Sequence, residues 1–356
     1  MFNSLIKYIY RVLLELIKSR VWILDSTEGS MKKPLKIIYI GTEKNKNHMK
    51  RMVYDDICHE VYLGEKFFLH VYFILRKNRY KCSLAIIEGT FIDRYLYRSM
   101  KDFFVPLWVD SVTNLPLIAT NRSSKEDLRQ LRKSKFTYTV TKDTEMLNDF
   151  YYNMHRPMIH ARYPTEVFEI SYDDMMETMK EGCYELLLIE KQNISVSGVV
   201  LNRCEEIPRL WKNGIRDINY HKDGAIAATY IYASEYLWDK GYKKISFGQI
   251  RTFLNDGLLQ YKKKWNIMLK TAGKKGYILK PLVVSDALNE FFENTPFIYR
   301  QKNKLYGAVF INKEECSETE YKVFQKRYYI EGMSALHIFS LKENGTIQMV
   351  ACVTKN

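Results

Sequence analysis

Apolar residues recur at helical spacing most clearly between Asp223 and Trp265. Ile226, Tyr230, Ala233 and Leu237 fall on one face, which predicts a long helix opened by Asp223-Gly224. Gly241, in Asp239-Lys240-Gly241-Tyr242, supplies its left-handed stop. A strand is expected over 243–248, ending in Phe247-Gly248, and a second amphipathic run over 253–261. Its tail is Tyr261-Lys262-Lys263-Lys264-Trp265.

Upstream, residues 123–132 read as a helix whose start, Ser123-Ser124-Lys125-Glu126-Asp127, offers a Ser cap, followed by a β-branched strand over 137–141. Thr144 is the expected cap of a helix running to about Met154, and another helix is expected over 172–180. Strands over 184–190 and 195–202 pair across a Gln192-Asn193 turn, and a third lies near 210–213. The first hundred residues show strands at 36–40, 83–87 and 104–109 with helices at 47–59 and 65–77. Beyond Thr271 come strands at 277–284 and 306–311 and a helix at 318–326. Strands at 335–339 and 346–350 close the chain, joined by the hairpin signal Glu343-Asn344-Gly345. The pattern is α/β. It divides into an N-terminal segment 1–20, an α/β unit 21–122, a central domain 123–271 and a small α+β extension 272–356.

The first twenty residues form a separate case. Phe2, Leu5, Ile6, Ile9, Val12, Leu13, Leu16 and Ile17 share one helical face, and Lys7, Arg11 and Lys18 the other. Two readings stand: an interfacial helix on an anionic membrane, or a helix docked on its own domain. No cleavage site of small residues follows it, so export is not implied. The apolar run 67–75 is too short to span a bilayer.

Composition changes the picture in two ways. The 356 residues carry a net charge of +14, which favours polyanionic partners such as RNA, lipid headgroups or phosphorylated metabolites. The six cysteines are scattered, with no Cys-x-x-Cys pair and no histidine at ligand spacing. They read as reduced thiols of a cytoplasmic protein with no metal site.

The stretch from Asp223 to Trp265 resembles the C-terminal half of a GNAT-like acyltransferase domain, and in wording the FemAB-type branch of peptidoglycan aminoacyltransferase-like enzymes. Gly241-Tyr242, Phe247-Gly248, Gly257 and Tyr261-Lys262-x-x-Trp265 stand where that branch has its glycines and its aromatic-Lys-x-x-aromatic motif. Asn266 replaces the usual final glycine. The likeness covers 123–271. It implies a GNAT-like mixed sheet flanked by helices and permits a second GNAT-like half in the N-terminal unit. The implied activity is transfer of an acyl or aminoacyl group to an amine. No cofactor is expected to be bound; the donor is aminoacyl-tRNA or an acyl-coenzyme A, and a FemAB-like acceptor is a cell-wall peptide precursor. Such an enzyme would work in the cytoplasm, peripherally at the inner face of the membrane through residues 1–20. The rival among enzymes is a coenzyme A-dependent N-acyltransferase acting on an amino sugar or small metabolite, and a non-catalytic basic adaptor that binds RNA or membrane is the reading from another class.

Candidate chemistry follows from these positions. The resemblance puts Lys262 near the reacting ester, where a fixed ammonium stabilises an oxyanion; three consecutive lysines are otherwise a solvated basic face. Tyr261 and Tyr230 are candidate proton donors to a leaving group. GNAT enzymes hold coenzyme A pyrophosphate on a Gly-rich loop at a helix N-terminus. Here only Lys222, Gly224 and Ala225 approximate it, and Asp223 reads equally as a helix cap. Lys212 in Trp211-Lys212-Asn213 is a candidate phosphate ligand. Pro157 leaves His155, Arg156, His160 and Arg162 on an expected loop, with Arg156 and Arg162 suited to an acceptor carboxylate or phosphate and His155 or His160 to deprotonating an amine. The basic cluster Arg129, Arg132, Lys133 and Lys135, with Lys274-Lys275, offers tRNA backbone contacts or plain surface charge.

Overall fold

Strand pairing, more than helix packing, organises the chain in the computed structural model, which describes residues 18–26, 34–54, 57–90, 102–162, 169–270, 273–342 and 347–354. The first part supplies β1 (Lys18–Ser26), β2 (Lys36–Gly41), β3 (Cys58–Phe67), β4 (Leu84–Thr90) and β5 (Phe103–Pro106). Helices α1 (Glu43–Tyr54) and α2 (Phe68–Lys77) lie between them. Val21, Leu24, Ile37 and Ile40 are at most 1% exposed, so both faces of β1 and β2 are covered, as expected for near-continuous apolar runs.

The central part follows with β6 (Val109–Asn114), α3 (Arg122–Ser134), β7 (Thr137–Thr141) and α4 (Thr144–Phe150). A π-helical turn (Tyr151–His155) leads into α5 (Arg156–Arg162) and α6 (Tyr172–Met179). Then come β8 (Tyr184–Lys191), β9 (Ile194–Asn202), β10 (Arg209–Ile215), α7 (Asn219–Lys222), α8 (Ala225–Asp239), β11 (Lys244–Ile250), α9 (Gly257–Lys263) and β12 (Met268–Lys270). These strands form a seven-stranded sheet in the order β12-β6-β11-β10-β9-β8-β7. Its two faces alternate residue by residue. Leu187, Ile189, Val199 and Leu201 pack under α8. Leu186, Leu188 and Val200 pack under the π turn.

Strand β13 (Lys275–Pro281), from the stretch read as a C-terminal extension, returns to the first sheet between β4 and β5. After α10 (Asp286–Asn294), a third sheet β14-β15-β16-β17 is built from β14 (Phe297–Gln301), β15 (Lys304–Phe310), β16 (Met333–Leu341) and β17 (Ile347–Val353), with α11 (Glu318–Tyr328) between β15 and β16. Phe103 of β5 joins the first and third sheets. Its ring stands edge-on to Phe297, Tyr299, Phe310 and Phe339 at 5.2–5.7 Å.

The α/β architecture of mixed sheets flanked by helices is the one expected. The two-residue turn at Gln192-Asn193 is also as expected, both residues having positive φ (53° and 64°). Several local expectations change. Lys18–Arg20 belong to β1, while the helix proposed over 1–17 lies outside the described residues. Helix 65–77 begins only at Phe68, because 58–67 pairs along its whole length with β1. Helix caps fall earlier than expected: Asn121 forms a reciprocal capping box with Ser124, and Asp143 caps α4. The hairpin at 343–346 lies outside the described residues.

The cysteine expectation is corrected. Cys183 and Cys204 form a disulfide. They flank the Tyr184↔Asn202 pair at the open end of the β8–β9 hairpin, so strand pairing juxtaposes thiols that stand 21 residues apart in sequence. The Glu181 carboxylate is beside them, within 4.8 Å. Among the described residues no helix is long and apolar enough to cross a membrane.

Candidate active site at a splayed strand pair

Strands β10 and β11 are parallel, yet a single pair of residues, Arg209↔Ser246, holds them in register. Each then bulges, β10 at Trp211 and β11 at Phe247, and their paths separate. Gly248 takes φ +77°, and a Cβ there would stand 3.3 Å from the Leu210 carbonyl. Splaying leaves strand carbonyls in need of donors, since a buried backbone group without a partner is costly.

Lys262 meets that need. Its ammonium donates to the carbonyls of Phe247 and Gln249, the latter at 3.2 Å, and the residue is only 3% exposed. Local sequence explains its placement. Asp256 caps α9 through the amide of Leu259, Leu259 anchors the helix in the core, and Lys262 follows one turn later on the same face. Asn266 has φ +54°, the left-handed conformation that glycine takes most freely and asparagine next. Its side chain accepts from Thr120 Oγ1 and donates to the Ile118 carbonyl.

The three lysines go to three places. Lys263 donates to the carbonyls of Lys326 and Arg327 at the end of α11, and burial lowers its pKa to about 8. Lys264 pairs with Asp127 and lies 3.8 Å from the centre of the Tyr261 ring. This run is therefore not a solvated basic face. Tyr230 packs edge-on against both Phe247 (4.9 Å) and Tyr261 (5.4 Å), so Tyr230, Tyr261 and Lys262 gather on one side of β11. Burial first, then the neighbouring Tyr230, raises the Tyr261 hydroxyl well above its ordinary pKa, so it stays protonated.

His155 belongs to the other face of the sheet. The π turn presses directly on β10 at Gly214, where a Cβ would stand 2.8 Å from the His155 amide nitrogen. His155 is 1% exposed, and its Nδ1 donates to the Asn213 carbonyl at 2.7 Å. That bond leaves the lone pair on Nε2, which is buried and bonded to no group among the described residues. Burial, the largest influence, lowers the pKa of the ring and keeps it neutral. Lys212 is on the same strand, half-buried, with its pKa lowered by desolvation and its ammonium 5.2 Å from the centre of the Trp211 ring. Its charge also disfavours protonation of His155.

The loop expected after Pro157 is helix α5. Arg156 is engaged within the chain: its Nε bonds Glu169 Oε1 at 2.8 Å, while His160 bonds the other carboxylate oxygen at 2.6 Å. Arg162 closes α5, and its side chain is outside the described set.

At the start of α8, Gly224 is the N-cap with φ +89°, and no side chain caps the helix. The expectation that Asp223 caps it is corrected, since its carboxylate pairs with Lys191 at 2.7 Å. Gly224 and Ala225 are buried, with Gln130 of α3 against Gly224, whereas Lys222 is exposed. The amides there are not an open phosphate cradle. Arg129, Arg132, Lys133 and Lys135 are exposed along and just after α3, with Arg129 paired to Glu126.

Arg251 is a buried cation that sequence reasoning passed over. It follows β11 directly, is 7% exposed, and stacks its guanidinium 4.0 Å from the centre of the Trp108 ring. No spacing announces it, because Trp108 is distant in sequence and arrives through the β6–β11 pairing.

No protein-family profile matches the sequence. None of the curated proteins matches it either. Solved structures do. L-PGS from Bacillus licheniformis is 12% identical with a TM-score of 0.36, over 75% of this chain and 82% of that one. FemX is 14% identical with a TM-score of 0.37, over 73% and 84%. A GCN5-related N-acetyltransferase from Kribbella flavida is 10% identical with a TM-score of 0.32, over 78% and 59%.

Proposed function

We propose that this chain transfers an acyl or aminoacyl group to an amine at the splayed β10–β11 pair, in the manner of FemAB-type enzymes. The observation that carries this reading is the buried Lys262 ammonium, fixed by two carbonyls of β11 where that strand has parted from β10. A carbonyl carbon bound in the opening would be attacked by an amine, and the oxyanion so formed would draw stabilisation from a cation already in place. His155 Nε2, neutral and with no partner among the described residues, is the group suited to take the proton of the attacking amine. Tyr261, kept protonated by burial, is suited to return one to the departing oxygen. Lys212 and Tyr230 line the two sides on which the donor would be held.

Aminoacyl-tRNA is the donor this reading favours, because the buried start of α8 offers a coenzyme A pyrophosphate no open amide cradle. The exposed Arg129, Arg132, Lys133 and Lys135 are then the tRNA-facing charge, and an amine of a cell-wall peptide precursor is the acceptor class. The test pairs two measurements on the purified chain. Transfer of a labelled amino acid from charged tRNA to peptide amines is expected, with no rise in melting temperature on titration with acetyl- or longer acyl-coenzyme A. A saturable rise with coenzyme A thioesters, without tRNA-dependent transfer, would replace the donor. No transfer from either donor would favour a binding protein that keeps the fold.

A further inference from the structure

Helix α2 is apolar on two faces, and among the described residues only one of them is packed against. Val71 and Leu75 are 1% and 6% exposed and pack on the first sheet with Ile23, Ile38 and Ile87. On the outward side Leu69 and Phe73, one turn apart, are 66% and 52% exposed, with Tyr72 and the preceding Phe67 both at 37%. A surface helix normally carries polar residues there. Contiguous exposed aromatic and aliphatic side chains on a helix mark a surface that something else covers.

Charge identifies the occupant. From Lys66 to Lys81 the chain has five basic residues, Lys66, Arg76, Lys77, Arg79 and Lys81, and no carboxylate. Arg76 and Lys77 also suit the C-terminal end of the helix dipole, but that accounts for neither Leu69 nor Phe73. Lys18, paired in register with Phe67, places its ammonium 5.2 Å from the centre of that ring and adds to the same rim. Residues 1–17 precede β1 in the sequence. Their two basic and one acidic side chains do not complement a basic rim, so charge argues against their being its cover.

We infer that the outward face of α2 docks on an anionic lipid surface, with Leu69 and Phe73 entering the headgroup boundary and Arg76, Lys77 and Lys66 meeting lipid phosphates. Aromatic and aliphatic residues on a helix ringed by Lys and Arg are the composition that lies in such an interface. The attraction falls with added salt, because screening weakens the basic rim and leaves the apolar part. This inference stands apart from the proposed chemistry, so failure of either leaves the other untouched.

Flotation of the full chain with vesicles tests it. Vesicles of phosphatidylglycerol mixed with phosphatidylcholine should carry the protein up the gradient, and phosphatidylcholine alone should not. The double variant Leu69→Ser/Phe73→Ser should lose at least tenfold in partitioning while its melting temperature without vesicles stays at the wild-type value. Phe73→Trp should show a blue-shifted emission only with anionic vesicles. The inference is overturned if the wild type ignores anionic vesicles, or if the double variant floats as the wild type does. It is also overturned if the double variant melts several degrees lower without lipid, since the patch would then be covered by the chain's own residues 1–17.

Discussion

Replacing Lys262 by methionine keeps the aliphatic stem and removes only the charged donor. The carbonyls of Phe247 and Gln249 then lose the ammonium that binds them. Leaving a buried acceptor short of a donor costs roughly 1–3 kcal/mol. For two acceptors, offset by the better burial of a methyl thioether, a net loss of about 2 kcal/mol is expected. That corresponds to a fall of several degrees in melting temperature. The chemical effect should be larger. Removing one preorganised donor from an oxyanion site lowers turnover by about 10²–10³-fold. The assay is single-turnover transfer from charged tRNA, run well below the melting transition so that the folded fraction is the same for both proteins. A variant that loses stability as expected but transfers within about threefold of wild type would refute the catalytic role and leave Lys262 a strand-edge support.

Gly214→Ala places a Cβ 2.8 Å from the His155 amide nitrogen and 2.9 Å from the Met154 carbonyl carbon, both backbone atoms, so the π turn must move off β10. Overpacking of this kind costs about 1–3 kcal/mol, and circular-dichroism melts should show it together with loss of transfer. Lys263 has its pKa lowered to about 8 by burial, so between there and the unfolded value near 10.5 the unfolded chain binds more protons. Its contribution to stability should therefore rise with pH through that window. The difference in stability between wild type and Lys263→Met should track this rise, and a difference independent of pH would count against it. Cys183 and Cys204 should resist alkylation until a reductant is added, while exposed Cys352 reacts at once. Opening the disulfide should lower stability by about 2–4 kcal/mol, read from denaturant midpoints.

How much of this was legible beforehand differs between elements. Helix α8 and strands β8, β9 and β11 were readable because each satisfies its own hydrogen bonds or alternation within a short window, and because Gly241 punctuates the helix. The division between β3 and α2 was not. Residues 58–67 become a strand only by pairing with β1, and apolar residues of 65–77 fit a helix equally well until that partner is present. The return of β13 to the first sheet lies beyond any local pattern for the same reason.

The candidate site divides along the same line. Sequence alone determined that Lys262 sits in an aromatic frame at the end of an amphipathic run, that His155 lies two residues before a proline, and that Gly224 precedes a long helix. Tertiary structure decided what those residues face. It turned Lys262 toward strand carbonyls, sent Lys263 and Lys264 elsewhere, and gave Asp223 to Lys191. It joined Cys183 to Cys204, and it stacked Arg251 on Trp108. Local sequence sets backbone propensity and helix capping, which depend on neighbours within a few residues. Partner choice for a buried charge or a thiol depends on which strands pair, and that is settled only when the whole sheet forms.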